Sequence, residues 1–298
     1  MILKEATENN GRKIQKVLWI VLGLNFLVSI MKLVVGYSIS SASMVADGFH
    51  SFSDGSSNII GLIGTAIASR PPDKDHPYGH RKYETFTAIG IALMLFMVSI
   101  NIIKSGIDKI FHPRLPQVDE YGFLVMVITM VVNIFVITYE SSQGKKLHSD
   151  ILVSDAMHTK SDVYVSLSVI LSLIAVKMGY PMLDPLISFV IAVLIIRAAL
   201  EILINSSKVL CDAAVIDPEE VISLVSSIDG VVDCHAVRTR GREDDFSMDL
   251  HILVKPDMTV EQSHDLHHTI ENSIRKNFEG VHYIDIHIEP YEGAAVES

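Results

Sequence analysis

Residues 47–54 read Asp47-Gly48-Phe49-His50-Ser51-Phe52-Ser53-Asp54, and residues 155–162 read Asp155-Ala156-Met157-His158-Thr159-Lys160-Ser161-Asp162. Both fit the pattern D-x-x-H-x-x-S-D, and each opens or interrupts a long apolar run. On a helix, the His and the second Asp of each copy stand at i and i+4, so they project from one face a single turn apart. An ionisable side chain at the bilayer centre costs ~2.5–3.5 kcal/mol on insertion scales, so such residues face a partner or a water-filled path. One such pair serves inter-helix hydrogen bonding well enough. Two matching pairs point to a shared ligand. Two imidazoles and two carboxylates make a four-coordinate N2O2 shell that suits Zn²⁺. His50, Asp54, His158 and Asp162 are therefore the candidate transport site.

Outward from the two motifs, apolar runs fall at Val17–Tyr37, Ala42–Ser69, Phe86–Ile110, Tyr121–Tyr139, Ile151–Met178 and Leu183–Ile204. Each approaches the ~20 residues that a spanning helix needs, which predicts six spans. Breakers separate them at Arg70-Pro71-Pro72, Pro113 to Pro116, and Gly179-Tyr180-Pro181. Lys4, Arg12, Lys13, Lys16, Arg70, Lys74, Arg81, Lys82, Lys145 and Lys146 all fall on one side of this arrangement. The positive-inside rule makes that side cytoplasmic, with both termini on it. His50 then lies about eight residues into its helix, ~12 Å deep at 1.5 Å per residue. Three spans apart, the motif helices run antiparallel, as in inverted-repeat transporters with a midplane site. Asp47 is expected on the outer side of the site and Asp155 on the inner side. Each is a candidate gating acid, passing ions between the site and its own vestibule; helix capping is the plainer alternative.

Composition agrees with this class. Of 298 residues 49% are hydrophobic and 20% charged, and the mean hydropathy is +0.37, too apolar for an ordinary soluble domain. Charge is uneven. Residues 1–208 hold 18 Lys/Arg against 16 Asp/Glu, whereas 209–298 hold 6 against 19. A tail this acidic argues against nucleic acid and anionic lipid as its partners. The two cysteines, Cys211 and Cys234, form no metal-binding or redox spacing, and Met1–Lys16 is too polar to read as a cleavable signal peptide.

Two further histidine groups stand outside the spans. The second loop reads Asp73-Lys74-Asp75-His76-Pro77-Tyr78-Gly79-His80-Arg81-Lys82, where Asp73, His76 and His80 can converge on a metal around a Pro/Gly turn. The tail alternates as strands over Val231–Arg240, Phe246–Val254 and Tyr283–Glu289. Helices open at Asp217-Pro218 and Thr259-Val260-Glu261-Gln262. The order α-β-β-α-β predicts a small α+β domain over 209–298, after a transmembrane domain over 1–208. Seven of the 13 histidines lie in this tail: His235 and His251 in strands, His264, His267 and His268 on the helix, then His282 and His287. His287 and Glu289, at i and i+2, share a strand face.

Taken together, the paired HxxxD motifs, the D-H-P-Y-G-H-R-K loop, the six spans and the α+β tail resemble the cation diffusion facilitator family, bacterial zinc/ferrous-iron efflux type, nearly end to end. The resemblance implies a homodimeric, proton-coupled exporter of Zn²⁺ and related divalent ions in the inner (plasma) membrane, with a metallochaperone-like (ferredoxin-like) cytoplasmic domain. It implies a transport site at His50, Asp54, His158 and Asp162 and a loop site at Asp73, His76 and His80. A binuclear tail site would match His235, His251, His264, His287 and Glu289. Histidine at the first position of both motifs resembles the zinc-selective type, whereas carboxylate-richer sites take Cd, Fe, Mn or Co more readily. The fourth loop, around Ser141–Asp150, lacks the His-rich stretch of many eukaryotic zinc members. Lys82 at the start of the third span and Asp212 after the sixth are expected at the membrane–cytoplasm junction, as a pair that holds the dimer.

Metal binding needs neutral His and ionised Asp, so binding releases protons and proton entry expels metal. Rival classes are a membrane metalloenzyme, a passive channel and a metal sensor. No HExxH occurs, and a filled four-ligand shell leaves no open position for a catalytic water. A tight tetrahedral site opposes fast passive permeation. A sensor has no need of matched ligands in two spans.

Overall fold

The paired motifs fall on the second and fifth of six long helices. In the computed structural model these are α1 (Ile2–Ser38), α2 (Ala42–Ala68), α3 (Lys82–Phe111), α4 (Glu120–Leu147), α5 (Asp150–Lys177) and α6 (Leu183–Leu210). The structure describes residues 2–38, 42–111, 120–178, 180 and 183–291. The expected breakers at Pro113 to Pro116, and those at Gly179 and Pro181, lie outside the described residues. So do the side chains of Asp47, His50 and Asp54, although all three belong to α2.

Among the described residues, four helices are long and apolar enough to cross a membrane, over Asn10–Val35, Lys82–Asp108, Phe123–Leu147 and Pro185–Leu210. The motif helices α2 and α5 are not among these four. α2 keeps a shorter apolar stretch over Ser57–Ala68. Two boundaries differ from the sequence reading. α1 begins at Ile2, because Ile14 and Val17 are buried with Leu18 and Val21 and carry the apolar face toward the polar N-terminal end. α4 continues through Leu147, so the fourth loop shrinks to a tight turn at His148, whose φ is +47°.

The chain divides into two compact units, 1–206 and 207–298. In the first, α1 packs on α2 and α4 on α5, while α2 and α5 touch each other and both touch α3. Gly64 permits the α2–α3 approach, since a Cβ there would collide with the Thr87 side chain. α6 meets α3 through the buried side chains of Ala88, Ala92, Leu95, Ile191, Ile195 and Ala199.

The second unit runs α7 (Pro218–Ser226), β1 (Asp233–Arg242), β2 (Asp245–Val254), α8 (Val260–Asn277) and β3 (Val281–Pro290). Asp217 caps α7 by accepting from the Glu219 N–H, and Thr259 with Gln262 forms a capping box on α8. β1 and β2 are an antiparallel hairpin, and β3 returns beside β2 in parallel after the α8 crossover. Alternate strand residues Met248, Leu250, Ile252, Ile284 and Ile286 are buried with Val221, Val225, Leu266, Ile270 and Ile274 of the helices. The residues between them, His251 and His287 included, therefore occupy the face turned away from α7 and α8.

Candidate metal centres

Among the described residues, three groups of candidate metal ligands emerge, each held by a different device. In the membrane unit, a cavity of about 50 Å³ is lined by Asn25, Lys32, Ser51, His158, Thr159 and Asp162, among others. That is room for an ion or a water or two. His158 is 2% exposed, and neither ring nitrogen has a hydrogen-bond partner among the described residues. A buried imidazole left in this state forfeits ~1–3 kcal/mol unless something fills the gap. Lys32, also buried, donates from Nζ to Ser51 Oγ at 2.8 Å on the cavity wall.

Beside the cavity runs a polar chain that the sequence reading missed. Asn25 donates to Asn58 Oδ1 at 2.8 Å, and Asn58 donates in turn to Asp155 Oδ2. Asp155 is fully buried, and so is Glu140 of α4. Asp155 thus lies inside the helix bundle. Glu140 stood at the end of an apolar run, with no spacing partner to mark it. The Asn58–Asp155 bond, and the approach of Gly61 to Ile151, run in opposite order along α2 and α5. The two helices are therefore antiparallel.

The loop group is built on a short turn. Asp73 Oδ1 accepts from the backbone N–H groups of Asp75 and His76, at 3.0 and 2.7 Å. Gly79, with φ +88°, reverses the chain so that His80 returns to the same carboxylate. His76 Nδ1 lies 3.2 Å from Asp73 Oδ1, and His80 Nε2 lies 3.4 Å from Oδ2. The three donors lie within 4.8 Å of one another. The His76 N–H bond holds the Asp73 carboxyl below the usual carboxylate range, so it stays ionised and ready for a cation.

The tail group is set by strand register. His235 pairs with His251 across β1 and β2, and His251 pairs with His287 across β2 and β3. Three imidazoles thus form one row over three strands. Glu289 joins the row. His251 Nδ1 lies 3.1 Å from its Oε1, His287 Nε2 lies 3.4 Å from Oε1, and His235 Nε2 lies 3.8 Å from Oε2. His235, His251 and Glu289 bring donors within 4.8 Å of one another. His264 does not join them, because it rises from α8, on the sheet's other side, next to His268. Cys234 points into the core, and burial pushes its thiol up to about 11, so it stays protonated. Lys82 is the first residue of α3, and Asp212 follows α6 with φ +52°. They belong to separate units.

Comparison with known proteins supplies the family. Residues 18–211 match the cation efflux transmembrane domain, and residues 215–291 match the cation efflux protein cytoplasmic domain. The chain belongs to the cation efflux (cation diffusion facilitator) family. Relatives include an uncharacterised transporter of Methanocaldococcus jannaschii, 29% identical over 93% of this chain and 99% of its own length. The manganese efflux system protein MneP of Bacillus subtilis is 30% identical, over 93% of this chain and 96% of its own. The cation-efflux pump FieF of Pectobacterium atrosepticum is 24% identical, over 88% and 87%. The protein is accordingly a membrane transporter that exports divalent metal cations.

Proposed function

We propose that this transporter exports Zn²⁺ from the cytoplasm in exchange for protons, through a site made of His50, Asp54, His158 and Asp162. The observation that carries the proposal is the buried imidazole of His158, without a hydrogen-bond partner among the described residues, on a cavity wall shared with Asp162. Antiparallel α2 and α5 support the rest. If Asn58 stands level with Asp155, then one turn back along α2 and one turn on along α5 bring backbone positions 54 and 158 level. A second turn does the same for 50 and 162. Two motifs at i, i+4 on facing antiparallel helices thereby converge on one ion. Its cargo needs neutral His and ionised Asp, so each ion loaded displaces protons. Cytoplasmic termini follow from the loop lysines and arginines.

Around this site, the loop donors Asp73, His76 and His80 and the tail donors His235, His251, His264, His287 and Glu289 act as accessory metal stations. Two copies of the chain assemble through the cytoplasmic domain, with Lys82 and Asp212 as a junction pair. Asp47 and Asp155 serve as gating acids.

Mn²⁺ export is the second reading, favoured by the name of the Bacillus relative. Imidazole donors weigh against it, because hard Mn²⁺ prefers carboxylate and carbonyl oxygens. The deciding experiment is flux into proteoliposomes carrying an internal metal dye and a pH dye, with Zn²⁺ and Mn²⁺ offered separately. Zn²⁺ uptake with opposite proton movement, absent in Asp54→Ala and Asp162→Ala, is the expected result. Equal or faster Mn²⁺ uptake would replace the zinc reading. Flux surviving either substitution would remove the site.

A further inference from the structure

Two fully buried acids of the membrane unit, Glu140 of α4 and Asp155 of α5, stand outside the metal shell. Helix packing sets them level. α4 turns at His148 and returns as α5, and Gly144 governs how closely the two helices meet. A Cβ at Gly144 would lie 2.9 Å from Val153 Cγ2 and 3.2 Å from Leu152 Cβ. One turn back along α4 from Gly144 is Glu140, and one turn on along α5 reaches positions 156 and 157, beside Asp155. The two carboxyl groups accordingly lie within hydrogen-bonding reach of each other.

Their surroundings leave one bond unmade. Asp155 Oδ2 accepts from the Asn58 side chain, and the Ser57 hydroxyl reaches the same carboxyl. Asp155 Oδ1 and both oxygens of Glu140 take no donor from the described residues. Asp155 is the ionisable group that faces Glu140, and Glu140 and His158 are those that face Asp155. Arg12, Lys13 and Lys16 of α1 and Lys145 and Lys146 of α4 are exposed instead. Two carboxylates in contact only repel. One proton between Glu140 and Asp155 Oδ1 satisfies both, as paired acids at close range do.

We propose that Glu140 and Asp155 share a single proton, and that the pair relays protons between His158 and the end of the bundle at the 147–150 turn. The relay rests on the exchange reading above, whereas the shared proton does not. The position suits the task. His158 lies three residues beyond Asp155, ~4.5 Å of helical rise, and α5 begins five residues before it, ~7.5 Å. Ser57 touches both ends of the first step, since it lines the cavity with His158 and reaches the Asp155 carboxyl. When a metal ion claims His158, the imidazolium proton passes through cavity water and the Ser57 hydroxyl to the Asp155 carboxylate. Glu140 then gives its own proton to water at the end of the bundle. The proton left on Asp155 shifts to Glu140 and restores the pair, so one proton enters and one leaves. Chains of acids and histidines carry protons in this way inside membranes.

The test compares full-length wild type with Glu140→Gln, in detergent and in proteoliposomes. Glutamine keeps the shape and a donor toward Asp155 but has no proton to pass on. Infrared spectra report a neutral carboxyl by its C=O stretch, and we expect one such band in the wild type that Glu140→Gln lacks. Zn²⁺ should bind the variant in detergent as tightly as the wild type. Zn²⁺ flux driven by a pH gradient should fall ~100-fold, the low end of what a positioned proton-transfer group supplies. Equal unfolding midpoints and equal Zn²⁺ binding would set misfolding aside. Identical infrared spectra would overturn the shared proton, and full-speed exchange in Glu140→Gln would overturn the relay. So would lost Zn²⁺ binding in the variant, which would make Glu140 a metal ligand. Wild-type Zn²⁺ flux without opposite proton movement would instead remove the exchange reading and the relay with it, while the spectra still decide the shared proton.

Discussion

The row of donors on the C-terminal sheet and the cavity in the helix bundle solve the same problem in opposite ways. On the sheet, regular strand pairing places His235, His251 and His287 side by side, and the carboxylate of Glu289 already accompanies every ring. These side chains are part exposed, so water satisfies whatever the neighbours do not. In the bundle, His158 is buried and its ring nitrogens have no hydrogen-bond partner among the described residues. A site that has its partners without metal can wait for an ion and sense it. One that lacks them is under pressure to take an ion up and pass it on. The difference suits a tail that reports on metal and a membrane site that moves it.

The sharpest way to break this comparison is Asp162→Ala. Removing a direct ligand from a four-donor shell should exceed the 10–100-fold loss that outer-shell changes cause. Zn²⁺ flux in proteoliposomes should therefore fall to the level of empty vesicles. The tail should be untouched, so zinc bound by the sheet row should be the same in this variant as in wild type. If both were lost together, the two regions would not be separate stations.

Next in size is Ile270→Ala. Ile270 is fully buried between α8 and the sheet, and such truncations cost ~2–5 kcal/mol. Calorimetry should show the C-terminal transition shifted down and the membrane transition in place. A single merged transition that moves as a whole would mean that the two compact units do not unfold independently.

His251→Ala probes the row itself. His251 is the middle member, paired to His235 on one side and His287 on the other. Zinc at 100 times its dissociation constant stabilises a folded unit by about 2.7 kcal/mol. That increment should vanish in this variant while remaining in Tyr283→Ala on the same sheet. Binding to the row should also weaken as pH falls, since protons compete for the imidazole lone pairs. In the loop, Asp73 adds no further loss in the mildly acid range. Its carboxyl is held below the ordinary value, so it ionises before the histidines lose their protons.

Much of this was legible in the sequence, and for physical reasons. Six apolar runs became six helices, because bilayer thickness fixes their length. The strand alternation around His251 and His287 became a sheet face, because the side-chain period there is two. The Asp73–His76–His80 turn was readable from Pro77 and Gly79. What stayed hidden depended on packing between distant segments. Glu140 gives no local signal, and only the α4–α5 contact reveals that it is buried beside the cavity's polar chain. Periodicity set His264 on α8, yet only the sheet's two-faced packing shows that α8 covers the side opposite the row. α4 ran past its expected end because Lys145 and Lys146 close its last turn, where cations suit the helix dipole.

The smallest expected effect concerns Lys32, and it sharpens the contrast most finely. A buried ammonium on the wall of a divalent-cation cavity opposes the cargo. At an effective dielectric of 20, a unit charge repels another by ~4 kcal/mol at 4 Å, and the repulsion falls with distance. Its tether to Ser51 Oγ holds it against α2. The positive charge thereby compensates nearby carboxylates when no ion is bound and discourages one from staying. Lys32→Gln keeps a hydrogen-bond donor for Ser51 and removes the charge. Zn²⁺ should bind this variant several-fold more tightly in equilibrium titrations, while turnover slows because release becomes harder. Weaker binding in Lys32→Gln would mean that the lysine organises the cavity for metal rather than opposing it. The tail row, which has no ammonium among its donors, should be indifferent to the change.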